Sequence, residues 1–154
     1  DPYRNVVGIF IRCALTGQPL PIFGDGSQSR SFSYITPVAR CIAESGWTSG
    51  ANNQTFNVGG EEPMSVLSMA RLISTLAGID ENFQHLPPRK EVKHIHATHD
   101  KSHAVFATAY ADAVSISDGI RETIEFVRSR PIPTPTPCPS AIEIADRLPP
   151  LWKQ

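Results

Sequence analysis

The chain has 154 residues, enough for one domain with a buried core, and its 14 basic and 15 acidic residues give a formal net charge of −1. This near balance, without a run of lysines and arginines, argues against binding to nucleic acid or to an anionic membrane, so we expect a small-molecule partner. No apolar stretch reaches the ~18 residues that span a bilayer and no signal pattern opens the sequence, so we expect a soluble, untargeted protein.

The first 60 residues predict two helices and three short strands. Apolar side chains recur at helical spacing in the helices, and β-prone runs end at glycines in the strands. The elements expected are a helix after Asn5 that Gly17 stops, strands at 20–23 and 31–35, a helix that Thr36 caps and Gly46 ends, and a strand at 55–58.

The remaining sequence predicts further helices and strands before a proline-rich end. The elements expected are a helix from Ser65 to Gly78, strands at 83–86 and 92–95, a short helix that Asp100 caps, and a helix from Ser117 or Asp118 to near Arg130. Residues 131–139 contain five prolines. We therefore expect a body at 1–130, an extended arm at 131–139 and a tail at 140–154.

Three cysteines occur at wide spacings, an odd number that argues against a disulfide framework. Cys13 and Cys41 fall in the helical patterns, where small core residues are expected. This usage suits a reducing compartment, so we expect a cytoplasmic protein.

The most informative motif runs from Gly17 to Ala39 and reads GQPLPIFGDGSQSRSFSYITPVA. An apolar strand, a turn at Gly24–Gly26, an arginine and an aromatic strand predict a ligand-holding hairpin, with a flat apolar edge at 20–23 and a fixed cation at Arg30. The motif resembles the pattern G-x-P-L-x-I-F-G-D-G, then R-x-[FY]-x-[YH]-[IV], of the extended short-chain dehydrogenase/reductases. Within them it is most similar to the NAD-dependent epimerase/dehydratase family, and especially to the UDP-glucose 4-epimerases.

The resemblance implies an α/β fold: the C-terminal, substrate-binding portion of such an enzyme, with mixed helices and short strands and without most of the Rossmann sheet. The complete enzymes use NAD, which needs a Gly-rich turn between a strand and a helix, and here the Gly24–Gly26 turn opens onto a strand. Their acid/base tyrosine has a lysine four residues on, whereas Tyr3, Tyr34 and Tyr110 are followed there by valines.

We therefore expect no bound NAD and no turnover from this chain alone, as for a partial gene, a truncated product or a proteolytic piece. The expected strand at 55–58 would lack the neighbours that the full sheet provides. We expect either packing against a second copy, and hence a homo-oligomer, or an apolar face that is left partly disordered.

Eight residues are candidates for holding a nucleotide sugar, which we expect to be a UDP-hexose. The resemblance implies that Arg30 and Arg89 contact the diphosphate, that Pro21 and Phe23 hold the base, that Phe32 lies near the sugar and that Glu91 binds the ribose hydroxyls. Lys90 stands where the family commonly has glycine, so the register of Arg89 departs from the pattern. Val6 and Val7 open the first helix, where free N–H groups favour an anionic phosphate.

Four histidines at positions 94, 96, 99 and 103 raise the question of a metal site, since neighbouring imidazoles can converge on zinc. No cysteine or acidic pattern completes a ligand set, so we expect solvent-facing histidines and no metal.

Two other functions stay open. The chain also resembles the 4,6-dehydratases and UDP-glucuronate decarboxylases, which differ mainly in catalytic residues outside this sequence. A non-catalytic module that engages a partner through the Pro-rich arm is the alternative from another class.

Overall fold

A computed structural model describes residues 5–111 and 114–132 of the chain. The helices in those ranges are α1 (Val6–Leu15), α2 (Ile35–Glu44), α3 (Val66–Ala77), α4 (Asp100–Val105), α5 (Ala107–Tyr110) and α6 (Ile116–Arg128). The strands are β1 (Leu20–Phe23), β2 (Ser29–Ser31), β3 (Pro63–Ser65), β4 (Phe83–Leu86) and β5 (His94–Ile95). The expected fold class, mixed α/β with short strands, is confirmed.

Side-chain caps set the starts of α1 and α3. The Asn5 side chain accepts from the Gly8 N–H at 3.4 Å at the start of α1, and Ser65 Oγ accepts from the Ser68 N–H at 3.0 Å at the start of α3. Gly78, with φ +74°, ends α3 in the left-handed conformation that glycine adopts easily. Both helices match their predicted bounds.

The strands form two separate sheets. β1 pairs in parallel with β4, from Leu20 opposite Phe83 to Phe23 opposite Leu86. β2 lies between β3, which is antiparallel to it, and β5, which is parallel.

The predicted hairpin between the first two strands is therefore wrong. Gly24 and Gly26 have φ values of +67° and +76°, and they redirect the chain out of the plane of β1. The Gln28 side chain then donates to the Phe23 carbonyl at 3.0 Å, a bond that takes the place of a strand ladder. The segment is a corner that joins two sheets.

Several other boundaries also differ from the prediction. β2 ends at Ser31, so most of the expected strand at 31–35 is an extended approach to α2, which begins at Ile35 before Thr36. Pro37 then lies in the first turn, where its missing N–H costs nothing. Residues 55–58 do not form a strand, because no neighbouring strand lies beside them in the described ranges.

The remaining differences lie at element ends. β3 was not expected, β5 is shorter than residues 92–95, Asp100 is the first residue of α4, and α6 begins after a Ser115 cap. Ser115 Oγ accepts from the Asp118 N–H at 3.1 Å, which explains the earlier start of α6.

Two apolar clusters hold the elements together. The main core lies between α1, β1, α3 and α6, and its fully buried side chains include Phe10, Leu20, Met69, Ile73 and Ile124. A smaller cluster of Cys41, Ala51, Phe106 and Ala109 includes Phe56 at its edge. Cys13 and Cys41 are buried, as predicted.

Apart from residues 131 and 132, the predicted arm and tail lie outside the described residues. Among the helices of the described ranges, none has the length and apolar character needed to cross a membrane.

Candidate nucleotide-sugar site

A cavity of about 240 Å³ lies between the N-terminus of α1, the free edge of β1 and the segment around residues 89–91. Six of the eight predicted site residues line it: Val6, Pro21, Phe23, Arg30, Arg89 and Glu91. Val7 packs against the main core instead. Phe32 lines a different cleft, of about 520 Å³, beside β3.

Arg30 is fixed at the wall of this cavity by three hydrogen bonds. Its Nη1 donates to the carbonyls of Ser29 at 2.7 Å and Lys93 at 3.2 Å, and its Nη2 donates to Glu91 Oε2 at 2.8 Å. The guanidinium has further N–H donors that are available to an anion. The bond to Glu91 places the predicted phosphate and ribose ligands side by side.

Arg89 brings a second guanidinium to the cavity. Its Cζ lies 3.4 Å from the centroid of the Phe23 ring, in cation–π contact. Burial lowers the pKa of Arg89 from its ordinary value, while the nearby Glu91 carboxylate acts in the opposite direction. Arg89 Nε is buried and has no hydrogen-bond partner among the described residues, so a cavity anion would satisfy it.

The N-terminus of α1 forms a further wall. Asn5 and Val6 line the cavity, and the Asn5 side chain is occupied by the Gly8 N–H. The N–H groups of Val6 and Val7 have no acceptor within the helix, because they belong to its first turn. The partial positive charge there adds to that of the two arginines.

The free edge of β1 presents backbone groups beside the Phe23 ring. The N–H groups of Leu20 and Gly24 donate to Asn82 and Leu86 at 2.8 and 2.9 Å. In a parallel pair alternate residues bond the neighbouring strand, so the polar groups of Pro21 and Phe23 point away from β4. The Pro21 carbonyl and the Phe23 N–H therefore stand at the outer edge, while the Phe23 carbonyl accepts from Gln28.

Comparison with known proteins agrees with this arrangement. Residues 1–59 match the NAD dependent epimerase/dehydratase family. This chain is a homologue of the NAD-dependent epimerase/dehydratase enzymes.

Curated relatives in this family act on UDP-sugars by their names. A UDP-N-acetyl-alpha-D-glucosaminuronate decarboxylase of Bacillus cytotoxicus is 28% identical over 132 residues, which are 82% of this chain and 41% of that protein. A UDP-glucose 4-epimerase of Mycolicibacterium smegmatis is 28% identical over 133 residues, which are 84% of this chain and 42% of that protein. The chain thus spans about two fifths of the length of these relatives.

A solved epimerase has the same fold over most of the chain. The UDP-glucuronic acid 4-epimerase of Bacillus cereus, in complex with UDP-glucuronic acid and NAD, superimposes with a TM-score of 0.72 at 27% identity. The match covers 83% of this chain and 40% of the epimerase.

Gln28 and Leu86 also line the cavity, and sequence reasoning missed both. Gln28 belongs to the GDGSQSR run, so the motif contained a signal. Leu86 could be found only through the pairing of β4 with β1, which local sequence does not reveal.

The histidines make separate polar contacts. His94 and His96 lie 2.9 and 3.2 Å from the hydroxyls of Ser29 and Ser31. His99 and His103 both approach Glu61 Oε1, at 3.3 and 2.7 Å. His99 is only 5% exposed, so the expectation of solvent-facing histidines is wrong for it. Among the described residues, no three His, Cys, Asp or Glu side chains are arranged to hold a metal ion.

Proposed function

We propose that this chain is the nucleotide-sugar-binding part of an NAD-dependent epimerase similar to the UDP-glucose 4-epimerases. The observation that carries the proposal is the convergence of Arg30, Arg89, the α1 N-terminus and the edge of β1 on one cavity. Two cations, a helix N-terminus and a flat apolar edge match a diphosphate joined to a planar base. The UDP-sugars named for the relatives contain both.

In this proposal each wall binds one part of the ligand. Arg30, Arg89 and the first N–H groups of α1 hold the diphosphate. The base lies against Phe23, where the Pro21 carbonyl accepts from the N3–H of uracil and the Phe23 N–H donates to its O4. Glu91 accepts from ribose hydroxyls while it keeps Arg30 in position.

NAD supplies hydride transfer in the family, and a complete enzyme of this kind would use it. The residues described here do not fit that cofactor, because the only double-glycine turn at a strand end, Gly24–Gly26, leads into β2 and not into a helix. We assign no cofactor contact and no acid/base group to the described residues.

The reaction type is a second open assignment. A decarboxylase and an epimerase are equally identical to this chain at 28%, and the proposed contacts reach the base, ribose and diphosphate. A 4,6-dehydratase or a UDP-glucuronate decarboxylase could therefore share the same binding part. The contacts of the cavity suit a UDP-hexose whether the complete enzyme is an epimerase, a dehydratase or a decarboxylase.

The proposal extends to a homo-oligomer in the cytoplasm. Contact with a second copy is favoured by the exposed apolar side chains of α2 and by residues 55–58, which have no strand partner in the described ranges. The thiols of Cys13 and Cys41 are unpaired, as a reducing compartment maintains them.

Calorimetric titration of the chain with UDP-glucose tests this function. Replacement Arg30→Ala removes the charged donors beside Glu91, and we expect the affinity to fall about tenfold or more. The control is Arg71→Ala, because Arg71 lies on the exposed side of α3 and, among the described residues, pairs with Glu81 alone, at 3.5 Å. Equal binding of UDP-glucose by wild type and Arg30→Ala would remove this arginine from the site.

A further inference from the structure

We propose that Gln28 selects the base: by occupying the Phe23 carbonyl it restricts the edge of β1 to uracil or thymine and excludes cytosine. This inference rests on the proposed function, since it concerns the same cavity. No other side chain in the described ranges donates to a backbone group of β1 at that edge.

The position of Gln28 is fixed by backbone bonds on both sides. Its carbonyl accepts from the Val66 N–H at 2.9 Å, and the following Ser29 N–H donates to the Lys93 carbonyl at 2.9 Å. The side chain is half-buried and lines the cavity. Because a carbonyl can only accept, the amide nitrogen of Gln28 must face Phe23 at the observed 3.0 Å.

Without Gln28 the edge of β1 would present three polar groups in a row: the Pro21 carbonyl, the Phe23 N–H and the Phe23 carbonyl. Uracil and thymine use the first two, through N3–H and O4. Their binding needs nothing from the Phe23 carbonyl.

Cytosine carries the opposite pattern, an acceptor at N3 and an amino donor at C4. In the uracil position its N3 faces the Pro21 carbonyl and its amino group faces the Phe23 N–H, so both pairs repel. Cytosine can bind in the same orientation only if it slides by one group, so that N3 accepts from the Phe23 N–H and the amino group donates to the Phe23 carbonyl. Gln28 already occupies that carbonyl, so the amino group of cytosine finds no free acceptor there.

The test compares UDP with CDP by calorimetry, using the whole chain. Wild type should prefer UDP by about tenfold or more. Gln28→Met keeps the size of the side chain but removes its hydrogen-bond donor. In this variant the affinity for CDP should rise, and the ratio of UDP affinity to CDP affinity should fall about fivefold. In Gln28→Glu the carboxylate cannot donate at neutral pH, so the ratio of UDP affinity to CDP affinity should fall as well. The added negative charge should weaken the binding of both nucleotides.

Gln18→Met is the matched control, because Gln18 follows the C-terminal end of α1, does not line the cavity, and its side chain accepts from Arg12. It should leave the UDP preference unchanged. If Gln28 had only a structural role, its replacement would weaken the binding of UDP and CDP by the same factor. An unchanged ratio of UDP affinity to CDP affinity in both folded Gln28 variants therefore overturns the inference. Should Gln28→Met fail to fold, Gln28→Glu decides alone. Failure of wild type to bind UDP overturns the proposed function and this inference together, whereas UDP binding with an unchanged ratio overturns the inference alone.

Discussion

Gly26 fixes the corner between the two sheets. Its φ is +76°, and an added Cβ would lie 2.9 Å from both Ile22 Cγ2 and Leu67 Cβ. Gly17 has a similar φ of +68° but nothing within 4 Å of an added Cβ. A substitution at Gly17 therefore tests backbone strain alone, and one at Gly26 tests backbone strain together with steric crowding.

We expect Gly17→Ala to lower the free energy of unfolding by about 1–2 kcal/mol through the left-handed backbone alone. Gly26→Ala should cost about 1–3 kcal/mol more, because Ile22 and Leu67 belong to the packed interior. Urea unfolding followed by circular dichroism measures both values. Equal losses in the two variants would show that the corner has room for a side chain.

At the residue scale, the sequence predicted most of the cavity because its motif keeps the charged and apolar residues in a recognisable order. Phe32 lines a different cleft because β2 ends at Ser31, so the alternation that would have kept it on the face of Arg30 stops. Val7 follows Val6 by about 100° around the helix, which turns its side chain toward the core. Gln28 was missed because its role depends on a corner that the residue pattern does not specify.

At the element scale, the ends of α1 and α3 were predictable and strand partners were not. Asn5, Ser65 and Gly78 act through neighbours three or four residues away, so their effect is visible in the local sequence. The pairing of β1 with β4 joins positions more than sixty residues apart, and nothing local distinguishes it from a hairpin. The same limit hid β3 and removed the expected strand at 55–58.

The start of α6 makes its stability depend on pH. The Asp118 carboxylate accepts from Ser115 Oγ at 2.6 Å and pairs with the Arg121 guanidinium, and both contacts lower its pKa. A carboxyl whose pKa is lowered in the folded state stabilises that state above its unfolded pKa, and this contribution is lost as the pH falls through the folded pKa.

We therefore expect the urea midpoint of wild type to fall between about pH 6 and about pH 2, and to fall less in Asp118→Asn. Glu125→Gln is the control on the same helix, because its carboxylate makes no hydrogen bond or ion pair in the described part of the chain. An equal fall in wild type and Asp118→Asn would contradict a role for this carboxylate.

At the scale of the whole molecule, the outer side of α2 stands out. Ile35 and Ile42, seven residues apart and so on one side of the helix, are 64% and 67% exposed, and Trp47 is 74% exposed. Ile42 also borders a groove of about 290 Å³ with Phe56 and Val58. This exposed apolar surface lies beside residues 55–58, which have no strand partner in the described ranges. Such a surface favours self-association.

We expect wild type to elute as a dimer or larger species in size-exclusion chromatography with light scattering, and Ile42→Glu to shift toward monomer. Thr75→Glu is the control, since it adds the same charge on the exposed side of α3. A wild-type chain that stays monomeric at high concentration would rule out the homo-oligomer.

Arg30 and Glu91 meet across 61 positions of sequence. The intervening chain must close into a loop before these side chains can touch, so we expect the cavity to form late in folding. The affinity for a nucleotide therefore depends on contacts between residues that are distant in the sequence. A substitution that disturbs the pairing of β4 with β1 should weaken nucleotide binding while every helix is still intact.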